Sequence, residues 1–275
     1  MVKLDFKNTV TLVGYVNGFK LIPYKNGSGA VANIAIKDEK GGSTHFVTMF
    51  TNRNKKFKYD GNEYDPAVLR NMFIDEEGKP RHILVNALCG MAENKYTNAQ
   101  GVDVVSTQIL VRKLSSSNEP DAQKATFDVR GYVESAAPRG DVYRIKVATL
   151  SKDANENVNN VTYITLETDE SISEVAMDAA EKGNYVKFRG RLINKTMYDD
   201  LGDRIGTVKK NNVLKITDVV EKDDIPEKDI MIYKLAKKLG KGEYVDVKTA
   251  KTMKYGESTS AVEVDDDEDI DIDFD

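Results

Sequence analysis

The chain has 275 residues and carries 40 Lys and Arg against 45 Asp and Glu, a formal charge of −5. Ten of those acids fall in residues 257–275, which hold no Lys or Arg, so the rest of the chain has 40 basic against 35 acidic groups. An acidic end thus hides a mildly basic body. One cysteine (Cys89) and two histidines (His45, His82) exclude an internal disulfide and a Cys/His zinc site, and no cofactor is expected. Phosphate-binding GxxxxGK loops and the HExxH, GxSxG and EF-hand motifs are missing, so the expectation is a protein that is not an enzyme. The apolar runs span only a few residues, and the first ten lack the apolar stretch of a leader. The expected setting is the cytoplasm, with no membrane.

Alternation with period two predicts three strands at residues 9–16, 30–36 and 44–50. Asp65, Pro66 and apolar positions three to four apart predict a short helix over 65–73. Two further strands follow, at 82–88 and 102–114. Residues 115–124, beginning Ser-Ser-Ser-Asn-Glu-Pro, read as a linker closing a first domain of residues 1–114. The same order then returns. A strand at 125–133 echoes residues 8–16, with Gly131-Tyr132-Val133 standing where Gly14-Tyr15-Val16 does at an offset of 117 residues, followed by strands at 142–150 and 161–168 and a helix over 171–182 opened by the capping box Ser171 to Glu174. Strands at 185–193 and 213–219 complete a second domain, residues 125–224. The hairpins agree as well, Asn94-Lys95-Tyr96 before Gly101 matching Asn194 to Tyr198 before Gly202. Matches in order, spacing and helix position indicate a tandem repeat.

Strand, strand, strand, helix, strand, strand is the order of the OB-fold, a small five-stranded barrel. The expected fold class is therefore mainly β, two tandem OB-folds each with one helix between its third and fourth strands. Residues 225–260 add a short helix near Ile230 to Leu239 and a basic extension, and residues 261–275 form a disordered acidic tail.

Residues 8–16, Asn26-Gly27-Ser28-Gly29-Ala30-Val31-Ala32-Asn33-Ile34 and the acidic end at 265–275 resemble the single-stranded-DNA-binding proteins of bacteria and their phages. Bacterial members usually carry one OB-fold, form tetramers and end in Phe after a Pro. Here Asp275 follows Phe274 and the sequence repeats, so the phage type is the nearer likeness. The resemblance implies sequence-tolerant binding and protection of single-stranded DNA in replication, recombination and repair. It also implies recruitment of replication proteins (polymerase, helicase, primase or recombinase) by the tail.

Nonspecific single-strand binding needs rings on which bases stack and cations along the phosphates. The first-hairpin loop offers Phe19, Lys20, Tyr24 and Lys25. Arg53, Lys55, Lys56, Phe57, Lys58 and Tyr59 then put four cations and two aromatics in seven residues, and Tyr96 sits beside a later turn. In the second half the candidates are Tyr143, Arg144, Lys187, Arg189, Arg191 and Tyr198, with Lys187, Arg189 and Arg191 on one strand face. A solvated loop or a wet sheet face accounts for the same cations. Tyr15, Phe46, Phe50 and Phe127 lie in strands and read as core, and Cys89 as a packing residue.

In the tail, Asp269, Ile270, Asp271, Ile272, Asp273 and Phe274 set apolar teeth on an acidic string, a pattern suited to a basic-rimmed hydrophobic pocket on a partner protein. Two other classes fit the same chain. One is an OB-fold interaction scaffold or accessory subunit that does not bind DNA. The other is a metal-dependent nuclease using Asp199, Asp200 and Asp203, which stand in a predicted turn where Asp is common.

Overall fold

In a computed structural model, the structure describes residues 6–246 apart from 41, 98–100, 102, 140–141, 153–156, 169–172, 182, 195–211, 224–226 and 241–242. The described residues form twelve strands, β1 (Lys7–Pro23), β2 (Ala30–Asp38), β3 (Ser43–Phe50), β4 (Phe57–Tyr59), β5 (Asn62–Tyr64), β6 (Leu84–Thr97), β7 (Asp103–Ser116), β8 (Lys124–Arg139), β9 (Val142–Lys152), β10 (Val158–Thr168), β11 (Tyr185–Asn194) and β12 (Asn212–Asp223). Three α-helices accompany them: α1 (Pro66–Phe73), α2 (Ser173–Ala179) and α3 (Glu227–Ala236). Among the described residues no helix is long and apolar enough to cross a membrane.

The first strands close a five-stranded barrel: β1 pairs with β2, β2 with β3, β3 in parallel with β7, β7 with β6, and β6 returns to β1. Strand β1 is long and bent, joining β6 through Val10–Tyr15 and β2 through Tyr15–Pro23. Gly14 sits at the crossing, where a Cβ would run into the Lys37 carbonyl oxygen. Strands β8, β9, β10, β12 and β11 pair in the same cyclic order, and Gly131 meets the Ala148 carbonyl as Gly14 meets Lys37. The echoed glycines therefore mark two places with no room for a side chain.

β1 also pairs with β8, from Lys7↔Arg130 to Val13↔Lys124. Adding the 117-residue offset to the first pair yields the last one reversed, so a pseudo-twofold axis passes through the central pair Val10↔Phe127. The apolar face of this joint is buried, and a single hydrophobic cluster runs through it, from Val16, Ile34 and Val47 through Val10, Leu12 and Phe127 to Ile145, Ile164 and Phe188.

Several segments differ from the sequence reading. Phe19 and Lys20 lie within β1 rather than in a loop, and the expected linker over 115–124 is partly strand, Ser115 and Ser116 closing β7 and Lys124 opening β8. Residues 53–59 are not a plain loop, because Phe57–Tyr59 pairs with Asn62–Tyr64 as a small hairpin. The helix expected over 171–182 is described only over Ser173–Ala179. The hairpin and α1 lie on one end of the barrel, where Phe19 stacks on Phe73 at 5.8 Å and Tyr59 meets Phe73 edge-on at 5.2 Å. The helix of the C-terminal region, α3, packs Ile232, Tyr233 and Ala236 against Tyr132, Val161 and Tyr185. Tyr233 donates a hydrogen bond to Glu134, as does Lys237 at 2.8 Å, and Val245 exchanges two backbone hydrogen bonds with Val158.

Inside the first barrel His45 lies opposite Ile36, fully buried, with no hydrogen bond to either ring nitrogen. Burial lowers its pKa to about 4, against the opposing pull of the Asp38 carboxylate. Because the unfolded chain takes up this proton near pH 6.5, the stabilising effect of a neutral His45 is complete above that pH and is lost as pH falls toward 4. Between pH 7 and pH 5 the loss is about 2 kcal/mol. His45→Met should flatten the stability-against-pH curve by that amount in chemical denaturation at the two pH values; an unchanged slope would place the linkage elsewhere. Gly14→Ala and Gly131→Ala should each lower stability by roughly 1–3 kcal/mol, read as a drop in Tm, because the colliding atom is backbone. A wild-type Tm in either variant would show slack at the crossing.

Candidate nucleic-acid interface

The β2–β3 register sorts side chains onto two faces. Ala32, Ile34 and Ile36 pair with Met49, Val47 and His45 toward the core. Val31, Asn33, Ala35 and Lys37 pair with Phe50, Thr48, Phe46 and Thr44 on the outside. β1 continues these outer rows, Ile22 beside Val31, Lys20 beside Asn33 and Gly18 beside Ala35. Phe46 is 37 % exposed, Phe50 38 % and Ile22 40 %. At a strand rise of about 3.3 Å per residue the two phenylalanines stand roughly 13 Å apart along β3.

Between the rings lies a polar rung: Gln108 Nε2 donates to Thr48 Oγ1 at 3.1 Å, and Thr48 Oγ1 to Asn33 Oδ1 at 3.2 Å. Lys20 ends that rung, and Lys37 follows the Phe46 row; both are exposed. On the β2 and β1 side of Phe46 stand Ala35 and then Gly18, two residues too small to cover its ring. The platform thus alternates apolar rings with cations and hydrogen-bonding groups, the combination that bases and phosphates require.

At the Phe50 end, the β1–β2 turn is fastened by Tyr24 N donating to the Gly29 carbonyl and by Ala30 N donating to Thr51 Oγ1, both at 3.0 Å. The half-buried Tyr24 ring lies against Gly29, and burial raises its phenol pKa. Lys25 projects from the same turn. Nearby, Asn52 Oδ1 accepts from the backbone of Asn54 and Lys56, each at 3.0 Å, and so shapes the turn that carries Arg53 and Lys55 outward. Those two cations have no ion pair among the described residues. Lys56 lies 3.7 Å from Asp65 and Lys58 3.9 Å from Glu63.

Several expected groove residues are elsewhere. Phe19, Phe57 and Tyr59 are buried in the aromatic cluster around Phe73, with no ring face open to a base. Conversely Phe46 and Phe50, read from sequence as core, are the exposed rings. The alternation itself held the signal: Thr48 shares their parity, and Asn33 and Lys37 face them in the next strand. Tyr96 falls in β6 but its side chain, like Tyr198, Asp199, Asp200, Asp203 and the tail, lies outside the described residues. Among those described, no group of three His, Cys, Asp or Glu side chains is placed to hold a metal ion. Burial pushes the Cys89 thiol up to about 12, against the lowering effect of Arg112, so it is inert near neutral pH.

The corresponding face of the second ring differs in chemistry. Lys37↔Thr44 and Ala148↔Tyr163 are equivalent pairs, which puts Thr165 and Glu167 where Phe46 and Thr48 stand. Glu167 accepts twice from Arg144 at 3.1 Å. Lys146 reaches Glu93 at 3.8 Å and lies 4.5 Å above the Tyr163 ring, while α3 covers the adjoining Tyr132. Tyr143 is half-buried at the end of the β8–β9 hairpin. Lys187, Arg189 and Arg191 share the outer face of β11, with Arg189 3.4 Å from Asp128.

No protein-family model matches the chain, and no curated protein matches it. Among solved structures it is similar to a deletion mutant of the single-stranded DNA binding protein from Thermus aquaticus, at 14 % identity over 80 % of this chain and 97 % of that one, with a TM-score of 0.46. The wild-type protein of the same organism matches at 12 % identity over 80 % and 95 %, also with a TM-score of 0.46.

Proposed function

We propose that the chain is a nonenzymatic, sequence-tolerant single-stranded-DNA-binding protein built from two tandem OB-folds, with the outer face of β1–β2–β3 as its main base-stacking site. The observation that carries this reading is the exposure of Phe46 and Phe50 on one sheet face, with Lys20 and Lys37 in the neighbouring rows. Every base has a π-face, so stacking on two rings selects single strands without selecting sequence. Lys25, Arg53 and Lys55 extend the cationic rim, so binding weakens as salt rises. In this reading the protein coats exposed strands during replication, recombination and repair, and its acidic tail recruits polymerase, helicase, primase or recombinase through Ile270, Ile272 and Phe274.

Binding of labelled oligothymidylate tests the site. Phe46→Ala and Phe50→Ala should each weaken binding by about 1–3 kcal/mol with Tm nearly unchanged. Phe57→Ala should instead lower stability by about 3–5 kcal/mol and leave the folded fraction's affinity intact. If the Phe46 and Phe50 variants bind as tightly as wild type, the platform is not a DNA site. Removal of residues 265–275 should tighten binding at low salt, with the gain shrinking as salt rises, because the tethered carboxylates compete for the basic face. Unchanged affinity at every salt concentration would exclude that competition.

A further inference from the structure

Away from the aromatic platform, the joint between the two rings forms a second outer face. The ladder sets Lys113, Leu88, Thr11, Thr126 and Arg191 side by side across β7, β6, β1, β8 and β11. At about 4.8 Å between strands this row is roughly 19 Å long. In the next row the Arg112 guanidinium lies over Gly90, where a Cβ would displace it, and Thr9 pairs with Asp128, itself opposite Arg189. Beyond it, Lys7 pairs with Arg130 and Arg130 with Lys187.

Asp128 is surrounded by cations, Lys7 at 2.5 Å, Arg189 at 3.4 Å and Arg130 at 3.5 Å. Burial raises its pKa, but the hydrogen bond and charge of Lys7, with the charges of Arg130 and Arg189, outweigh that and hold the carboxyl ionised below its usual range. Asp128 is thus engaged by three cations at once. Arg112, Lys113, Lys124 and Arg191 have no ion pair among the described residues, and all four are exposed.

The row also has a mouth. A cavity of about 520 Å³ opens above Lys124, Thr126 and Arg191, with Asp38, Lys40 and Ser43 of the β2–β3 turn as its other wall. Ser43 begins β3, three residues before Phe46. A strand that stacks on Phe46 and Phe50 and runs past Lys37 therefore arrives at this cavity with the cationic row beyond it.

We propose that the ring-to-ring joint is a phosphate path that takes the backbone of the same single strand after it leaves the platform, entering over Lys124 and Arg191 and crossing to Lys113 and Arg112. This rests on the function proposed above. Among the described residues no exposed ring lies in these rows, so the path holds backbone without reading or stacking bases, and it lengthens the site rather than founding it.

The test compares oligothymidylates of about 8 and about 30 nucleotides on the full chain, since one OB-fold occupies about 4–16 nucleotides. In the triple variant Arg112→Glu, Lys113→Glu, Lys124→Glu the 30-mer should lose at least tenfold in affinity while the 8-mer stays within twofold of wild type. The triple Gln variant should give a smaller loss of the same kind and a log–log salt slope for the 30-mer lower by about 2. Circular dichroism and Tm would confirm that both variants fold, and the Gln variant carries the test should charge reversal unfold the chain. Equal losses for both lengths, unchanged 30-mer binding, or a loss confined to duplex DNA would overturn the path. Failure of the wild-type chain to bind the 8-mer would instead overturn the function on which it rests.

Discussion

Pairing of β1 with β8 is the contact on which the rest of the molecule depends. Between Val10 and Val13 β1 is hydrogen-bonded on both edges, to β6 and to β8, while its distal half turns away to hold β2. One strand thereby fixes the closure of the first barrel, the attachment of the second ring and the tilt of the aromatic platform. Because Val10, Leu12 and Phe127 bury their side chains on the far side of the joint, the two interiors form one continuous core. Burial of side chains of that size contributes about 1.5–3 kcal/mol each, so the joint belongs to the core of the fold rather than to a hinge between beads.

From this arrangement the two rings inherit equal frames and unequal surfaces. In the first, β4, β5 and α1 fill the barrel end with Phe57, Tyr59 and Phe73 packed on Phe19 of β1, while Phe46 and Phe50 stand exposed on the strand face. In the second, Glu167 and Glu93 engage the cations that would line the face, and α3 occupies its far side through Ile232 and Tyr233. The difference between the two faces follows from where each half places its aromatics.

Much of this was legible in the residues. Period-two runs located ten strands, and the echo at an offset of 117 residues gave the second half the strand order of the first. The glycines of the two Gly-Tyr-Val echoes are explained by a carbonyl that leaves no room for a methyl. What sequence concealed was which aromatics face outward. Phe57 and Tyr59 stand among four cations yet alternate with Lys56 and Lys58, a short strand whose rings turn inward. Phe46 and Phe50 looked like core because aromatics in strands usually are, and nothing in β3 alone marks His45, of opposite parity, as the buried residue. Parity within a strand says which residues travel together; only the neighbouring ladder says which way is in.

The pseudo-twofold axis at Val10↔Phe127 has a consequence for descent. A joint whose two sides present equivalent positions to each other, 117 residues apart, has the geometry of an isologous interface between two identical subunits. A single-ring ancestor possessing the Lys7–Val13 edge would self-associate through it with no further invention. Fusion of two copies makes that association independent of concentration and releases each half from having to match the other. Such a chain can let one copy keep an exposed aromatic face and the other accept a covering helix, a divergence that no symmetric dimer encoded by one gene can reach.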